Sequence, residues 1–402
     1  MSATPTPFEL WASPEPTVAR IGRDRYRDQL AETGHAEREA DLDLLASLGI
    51  TATRYPVLWE RTAPGDPSQP DLAWARLRLE RLRELGIEPV VTLLHHGSGP
   101  PSTDLLDPAF PERFALYADA VARAFPWVRR WTPINEPLTT ARFATLYGHW
   151  YPNLTSDVAF GRAIANEALA MLLGMAAIRV HVPHAQFVLT EDLAGFVALD
   201  ARSEAFVAYK RERSFLSIEL VMGRVVPGHA LYAYLRERCA LDAATLARIA
   251  HLASIPDLIG WNYYPNSERA VGTDAAGRHT NVCAFADGRS SPRPLLRAAH
   301  ARLGIPFGIS EVHVGGSDAV RVGWLRARYT DLVALREEQL PVRMFGAWAA
   351  FGLVDWNSLL VRDARASENG IFTFAGHSGV PQETPVAEAL RTLTGARRLR
   401  LA

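Results

Sequence analysis

Two glutamates stand where acid–base and nucleophilic chemistry could be divided between them. Glu136 lies in Asn-Glu-Pro near the end of the apolar segment 128–137, and Glu311 lies in Ser-Glu-Val within segment 305–314. Both segments are typical of β-strands, so we expect the two carboxylates on different strands. A carboxylic acid and an ionised carboxylate in one cleft can act as general acid and nucleophile.

Other strand-like segments end in residues that could bind and orient a polar ring compound. Glycoside hydrolysis needs an acid to protonate the leaving oxygen and a carboxylate to meet the developing oxocarbenium ion. Aromatic rings pack against the apolar faces of a pyranose, and asparagine can hydrogen-bond its hydroxyl groups. The residues of this kind are Arg54, His95, Asn135, Asn262, Tyr264, Trp348, Asp355 and Trp356.

The elements that would position these residues alternate regularly. Eight short apolar segments are predicted as strands and are separated by segments of helical periodicity: 8–11, 51–59, 88–96, 128–137, 184–193, 256–265, 305–314 and 341–353. Eight consecutive β–α units predict the α/β class and a single (β/α)8 barrel, formed by residues 1–402 as one domain. Catalytic residues of such barrels lie at the carboxyl ends of the strands. The polar stretch 266–290 is predicted to be a long loop on that face.

A doubly wound sheet is the alternative architecture. No Gly-rich phosphate fingerprint follows the first predicted strand, which argues against it.

Composition excludes several classes of protein. The formal net charge of −1 provides no strong field to attract nucleic acid or an anionic lipid surface. Of the 43 basic residues only Lys210 is a lysine, and we predict it on the exposed side of a helix. Schiff-base enzymes and P-loop NTPases, which need a functional lysine, are therefore not expected. Two cysteines, Cys239 and Cys283, argue against a disulfide scaffold or a Cys-rich zinc site.

We expect a cytoplasmic location, because the N-terminus lacks a basic region followed by an apolar stretch. We expect no membrane span, because no apolar run reaches ~18 residues. His181 and His184 have a ligand-like spacing but are predicted at the opposite end of a strand from the other polar residues. We therefore predict neither a metal nor a cofactor. The expected partner is a small-molecule carbohydrate, and the oligomeric state stays open.

Six segments resemble, in chain order, motifs of the family 1 glycoside hydrolases, the β-glucosidase family. Each motif alone is weak, but the resemblance covers roughly residues 8–390. WTPINEP (131–137) is similar to the family's acid/base motif and GISEVHVGG (308–316) to its nucleophile strand. The other four are RYPVLWER (54–61), VTLLHH (91–96), LIGWNYYP (258–265) and WAAFGLVDW (348–356).

The resemblance implies catalytic roles for particular residues. Glu136 corresponds to the acid/base and Glu311 to the nucleophile, with Asn135 holding the sugar 2-hydroxyl near Glu311. Arg54 and Tyr264 are expected to contact Glu311 and to lower its pKa by charge and by hydrogen bonding.

The same resemblance implies sugar-binding residues. His95 would bind the 3-hydroxyl group, and Trp348 would stack on the ring. Asp355 and Trp356 occupy the positions expected to bind the 4- and 6-hydroxyls. Asn262 belongs to the matching Asn-Tyr-Tyr segment and is a further candidate.

The chain also departs from the family pattern, as a divergent member would. The family's Q-x-E-G motif after the first strand is absent, and Glu9 or Glu15 is the candidate to replace it. The leading hypothesis is a retaining β-glycosidase that hydrolyses a β-linked glycoside by double displacement. The alternatives are a catalytically silent barrel that binds carbohydrate or assists sugar biosynthesis, and a transglycosylase using the same residues.

Overall fold

The computed structural model describes residues 8–283 and 290–395, without the side chains of residues 282 and 283. Eight parallel strands close into a barrel in chain order, and the last pairs with the first. They are β1 Glu9–Ala12, β2 Ala52–Pro56, β3 Glu88–His95, β4 Arg130–Asn135, β5 Gln186–Asp192, β6 Leu258–Tyr263, β7 Phe307–Val312 and β8 Val342–Ala347. The predicted (β/α)8 barrel is confirmed. A single domain over residues 1–402 stays a prediction.

The strands follow from continuous apolar runs. In β3 every residue after Glu88 is buried, and all six residues of β7 are buried. Strands covered by helices outside and by side chains inside the barrel are buried on both faces, so they do not alternate with polar residues. The polar exceptions are concentrated at the carboxyl ends, where the barrel opens.

Helices of varied length surround the barrel. Those of seven or more residues are Asp41–Ser47, Ala73–Glu84, Phe110–Ala124, Pro137–Thr145, Asp157–His181, Glu204–Arg213, Ala243–Leu252, Arg293–Leu303, Asp318–Glu337 and Pro385–Thr394. Shorter helical segments are Gln29–Glu32, Trp59–Thr62, Ala201–Ser203, Leu216–Val221, Tyr234–Arg238 and Trp356–Ser358.

The helix Asp157–His181 is long and apolar enough to cross a membrane by length and composition alone. However, 72% of its most apolar window is buried inside the fold. Such burial is typical of a core helix.

The prediction of a loop over residues 266–290 is wrong for 268–273 and 279–283, which are strands. Strands Glu268–Thr273 and His279–Cys283 pair antiparallel, and the first also pairs with Gly195–Ala198. The turn between them is held by Asp274, which accepts backbone hydrogen bonds from Ala276 and Arg278. The polar, Gly-containing sequence of this stretch does not distinguish such a turn from a longer loop. Residues 284–289 lie outside the described part.

Two further strand pairs lie outside the barrel. Val18–Gly22 pairs with Arg25–Asp28, and Leu353–Val354 pairs with Ser367–Glu368.

The backbone is strained where the barrel strands end. His96 after β3, Glu136 after β4 and Ala349 after β8 all have positive φ, at 55°, 45° and 50°. A left-handed conformation costs a residue with a side chain roughly 1–3 kcal/mol, and such residues cluster at functional sites. Three of the ten described non-glycine residues with positive φ thus follow barrel strands at the carboxyl face.

Gly346 offers a test of packing beneath that face. A Cβ there would overlap the backbone carbonyl of Ser310, the residue before Glu311. We expect Gly346→Ala to lower the free energy of unfolding by about 1–3 kcal/mol. The matched control is Gly323→Ala, in the exposed face of helix Asp318–Glu337, where a Cβ meets nothing within 4 Å. That variant should be neutral or up to about 1 kcal/mol more stable. Equal denaturation midpoints for the two variants would contradict the packing.

Candidate active site

The carboxyl ends of the strands surround one cavity of about 250 Å³. Both candidate catalytic residues line it, together with four of the predicted binding residues: Glu15, Glu136, Tyr264, Glu311, Trp348 and Trp356. Arg54, His95, Asn135 and Asn262 are almost fully buried and form the polar layer that contacts these side chains. The structure therefore brings together ten of the eleven residues selected from sequence.

Glu311 is held by a cation and a phenol. The guanidinium of Arg54 and the hydroxyl of Tyr264 each donate to one of its two carboxylate oxygens. The guanidinium also lies 4.5 Å from the ring centre of Trp348. Burial lowers the pKa of Arg54 to about 10, so it remains charged at neutral pH. The expected contacts of Arg54 and Tyr264 with Glu311 are thus present.

Glu136 has a different environment. Burial raises its pKa to about 8, and the nearby charges of Asp192 and Glu191 act in the same direction. Asn262 donates a hydrogen bond of 2.6 Å to Glu136 Oε1. His96 Nε2 lies 3.9 Å from Glu136 Oε2. At neutral pH the carboxyl group is therefore largely protonated, as a general acid must be.

Two buried amides connect the carboxylates. Asn135 Oδ1 accepts hydrogen bonds from Arg54 at 2.7 Å, from Thr190 at 2.8 Å and from Asn262 at 3.3 Å. Asn262 also pairs in register with Glu311 across β6 and β7. The polar layer thus links Glu136 and Glu311 through hydrogen bonds that span four strands.

The two histidines after β3 differ in position. His95 stacks on Trp348 with ring centres 5.6 Å apart, and its Nε2 lies 3.1 Å from Asn135 Nδ2. Burial holds the pKa of His95 well below its usual range, so the ring is neutral. His96, which sequence reasoning did not select, lines the cavity. It is one of the residues with positive φ.

Of Glu9 and Glu15, only Glu15 lies in the cavity and remains the candidate to replace the missing Q-x-E-G motif. Its carboxyl group accepts hydrogen bonds of 2.9 Å from the amide of Thr17 and from Trp348 Nε1. Burial raises the pKa of Glu15. Glu9 instead begins β1 and pairs with Arg130 at 2.6 Å, at the opposite end of the barrel.

Asp355 is the residue that the structure does not bring into the cavity wall. It is fully buried, and its carboxylate accepts a bond of 2.9 Å from Arg27. The backbone amides of residues 364–366 also donate to it. Sugar contact by Asp355 would require these bonds to break, so its position supports a role in holding its loop. Its neighbour Trp356 lines the cavity, and Trp356 Nε1 has no hydrogen-bond partner among the described residues.

Comparison with known protein families identifies the family of this chain. The family model described as glycosyl hydrolase family 1 matches residues 17–309. The chain belongs to glycosyl hydrolase family 1. The match ends two residues before Glu311, so the strand β7 that carries Glu311 is only partly inside it.

Individual relatives align over parts of the family 1 chain. Human Klotho is 29% identical over 164 residues, which are 39% of this chain and 15% of Klotho. Beta-glucosidase 4 of Oryza sativa subsp. japonica is 35% identical over 138 residues, 32% of this chain and 29% of the relative. The aligned stretches thus span less than a third of either relative.

A solved structure confirms the fold over the whole chain. The family 1 β-glucosidase from Thermotoga maritima superposes with a TM-score of 0.78 and covers 100% of both chains, at 17% sequence identity. At this identity the likeness concerns the fold.

Sequence reasoning missed part of the family 1 cavity. Arg142, Asp192, Arg269, His313 and Glu368 also line it. Asp192 could have been found, because it ends β5 as Glu136 follows β4. Arg142 lies in the helix after β4, and Arg269 lies in the stretch predicted to be a loop. Neither residue was selected, because neither lies at the end of a predicted barrel strand.

The sequence predicts no metal site, and this stays a prediction. Within residues 8–283 and 290–395, no group of three or more His, Cys, Asp or Glu side chains is arranged to hold a metal ion. His181 of the ligand-like pair instead contacts Asp119 at 2.7 Å. The absence of a cofactor stays a prediction.

Two more acids are buried behind Glu136. Glu191 accepts hydrogen bonds from Ser217 at 2.7 Å and from the amide of Leu138 at 3.0 Å. Burial raises its pKa to about 7. Burial also raises the pKa of Glu167 well above its usual range, and neither of its carboxyl oxygens has a hydrogen-bond partner among the described residues. Folding therefore favours the protonated form of these groups.

Glu167→Gln should consequently change how stability depends on pH. A raised folded-state pKa contributes stability at low pH, and that contribution is lost as pH rises above the unfolded-state value. Glutamine has nearly the same shape and no charge to bury. We expect similar melting temperatures for variant and wild type at pH 5, and a higher one for the variant at pH 8.5. Parallel melting curves across this range would contradict the assignment.

Proposed function

We propose that this family 1 protein is a retaining β-glycosidase that hydrolyses a β-linked glycoside of the β-glucoside type. The observation that carries the proposal is the contrast between two carboxyl groups of one cavity. Glu136 has a pKa raised to about 8, whereas Glu311 is paired with the Arg54 guanidinium. Groups whose surroundings separate them in this way divide into an acid and an ionised carboxylate.

The first step uses both carboxyl groups. Glu136 donates its proton to the glycosidic oxygen while Glu311 attacks the anomeric carbon. The bond between the anomeric carbon and the leaving oxygen breaks, and a covalent bond to Glu311 forms. The leaving group departs as an alcohol, and the charge on the sugar ring is met by the Glu311 carboxylate.

The second step reverses these roles. Glu136, now ionised, takes a proton from water as the water oxygen attacks the anomeric carbon. The bond to Glu311 breaks, and the sugar leaves with its original anomeric configuration. Arg54 and Tyr264 then stabilise the carboxylate that returns, because both donate to it.

The surrounding residues suit a pyranose. Trp348 supplies an aromatic wall of the cavity, and Trp356 supplies an indole N–H without a protein partner among the described residues. Asn135 lies beside Arg54 with its amide nitrogen 3.1 Å from His95 Nε2. We propose that these groups bind the sugar hydroxyls and ring, with a small-molecule carbohydrate as the substrate.

A catalytically silent sugar-binding barrel is the second candidate. The Glu15 carboxyl group, in the expected place of a sugar-binding residue, uses both oxygens for Thr17 and Trp348. A transglycosylase would use the same two carboxylates and differ only in the acceptor of the second step.

Aryl β-glycosides of several sugars test the reaction. We expect the wild type to release the aryl alcohol from at least one of them, and Glu311→Gln to lower kcat by several orders of magnitude. Glu136→Gln should lower it roughly 10²–10⁴-fold, because general acid catalysis is lost. Arg278→Gln, an exposed position, is the control and should have wild-type activity. Silence of the wild type across the panel would favour the binding barrel, and sugar transfer to an added alcohol in preference to water would favour the transglycosylase.

The pH profile tests the role of Glu136. The acid is functional only when protonated, so kcat/KM should fall as pH rises through about 8, the raised pKa of Glu136. A 2,4-dinitrophenyl glycoside needs little protonation of its leaving group, and its first step should show a much weaker alkaline decline. An identical decline for both substrates would assign the titration to another group.

A further inference from the structure

One wall of the cavity carries an excess of positive charge. Arg142 and Arg269 both line it, and both approach the same oxygen, Asp192 Oδ2, at 3.9 and 3.6 Å. These distances are too long for well-formed hydrogen bonds. One carboxylate thus lies between two guanidinium groups and cannot neutralise both.

Two more cations lie directly behind this wall. Lys210 and Arg213 line a small crevice that also includes Arg142 and the acids Asp192 and Glu191, so three cations there face two carboxyl groups. The prediction that Lys210 is exposed is wrong, because its side chain is buried against the ring of Phe196, 4.6 Å from the ring centre.

The partners of these two cations are neutral. Lys210 Nζ donates to Asn281 Oδ1 at 2.7 Å. Arg213 donates to the hydroxyls of Tyr209 and Tyr147 at 3.3 and 3.1 Å. Among the described residues, neither cation has a carboxylate within 4.0 Å. Their charges therefore add to the field of the wall.

Tyr147 responds to that field. Burial alone would raise the pKa of its hydroxyl, but the charges of Arg142, Arg213 and Lys210 lower it to about 8. A phenol that ionises this readily indicates an environment that favours negative charge.

The two lining arginines have donors available for a ligand. Arg142 is 5% exposed and uses Nε and Nη2 for the Leu138 carbonyl and the Thr139 hydroxyl. Arg269 makes no side-chain hydrogen bond within the described part of the chain. A guanidinium offers five donors in a planar fork that matches carboxylate and phosphate oxygens.

The position of the wall indicates which part of a substrate it would meet. Arg142 lies in helix Pro137–Thr145, which begins directly after Glu136. Glu136 is the proton donor to the leaving group under the proposed function, so the leaving group lies on its side of the cavity. The sugar would contact Glu15, Glu311 and Trp348, which line another part of the same cavity.

We propose that Arg142 and Arg269 form a binding site for an anionic group, a carboxylate or a phosphate, on the leaving group of the substrate. This inference rests on the proposed function for its orientation. The favoured substrates are then β-glycosides of acidic alcohols or phenols. Binding places the anion against guanidinium donors of Arg142 and Arg269 that the described residues leave unused.

Equilibrium binding tests the site without requiring turnover. The probes are two aryl β-thioglycosides, which are not hydrolysed, one with a 4-carboxyl and one with a 4-carboxamide group on the ring. Titration calorimetry should give the wild type a several-fold lower Kd for the carboxylate. Arg269→Gln should remove about tenfold of the affinity for the carboxylate probe, as expected for a charge-assisted hydrogen bond, and leave that for the carboxamide nearly unchanged.

Two controls separate charge from folding. Arg269→Lys keeps the positive charge and should retain part of the preference, while Arg278→Gln should retain all of it. A glycoside with a 4-phosphate ring substituent distinguishes phosphate from carboxylate as the favoured anion.

The outcomes distinguish this inference from the proposed function. Equal affinity of the wild type for the carboxylate and carboxamide probes would overturn the anion site even if both glycosides are hydrolysed. A preference for the carboxylate that is lost in Arg269→Gln would support the site even if no glycoside is hydrolysed. A preference unchanged in Arg269→Gln would also overturn it.

Discussion

The ion pair between Arg54 and Glu311 is the interaction on which the cavity depends. Arg54 is 2% exposed, and its guanidinium bonds Glu311 and Asn135 from a third strand. A buried charge that loses its partner costs roughly 3–5 kcal/mol, so neither residue can change without a penalty to folding. The carboxylate proposed as the nucleophile is therefore also a structural element of the barrel mouth. Trp348 closes the face of the guanidinium that Glu311 and Asn135 leave open.

Glu136 has the opposite character because no arginine or lysine in the described part of the chain forms an ion pair with it. It lies after β4, beside the acids that end β5, and burial together with those acids favours its neutral form. The two carboxyl groups therefore differ because different strands place them beside different neighbours. The positive charge near Glu136 lies instead on Arg142 and Arg269, which line the cavity wall. The same cavity can therefore keep one carboxyl group protonated and still attract an anion nearby.

Much of this architecture could be predicted from sequence. Continuous apolar runs identified all eight barrel strands, and the strand-end rule found Glu136, Glu311 and most of the polar layer around them. The errors arose where local pattern does not determine tertiary contact. Residues 266–290 are polar, yet 268–273 and 279–283 form paired strands, because a tight Asp274 turn allows the pairing.

Side chains distant from strand ends were harder to place. Lys210 sits in a charged helical segment that indicates exposure, but the crevice behind Arg142 buries it. Asp355 matched a motif in spacing, yet its carboxylate is taken by Arg27 and backbone amides, which are contacts that a motif does not reveal. Arg142 and Arg269 needed the three-dimensional fold to be recognised.

The central claim is that Glu311 forms a covalent bond to the sugar while Glu136 supplies the proton. The most direct test is mass spectrometry after incubation with a 2-deoxy-2-fluoro aryl β-glycoside of the sugar that is hydrolysed fastest. The account predicts an increase of one glycosyl unit in the intact protein, located on the peptide that contains Glu311, and no increase in Glu311→Gln. Hydrolysis of the parent glycoside with inversion at the anomeric carbon, or a label on another residue, would contradict it.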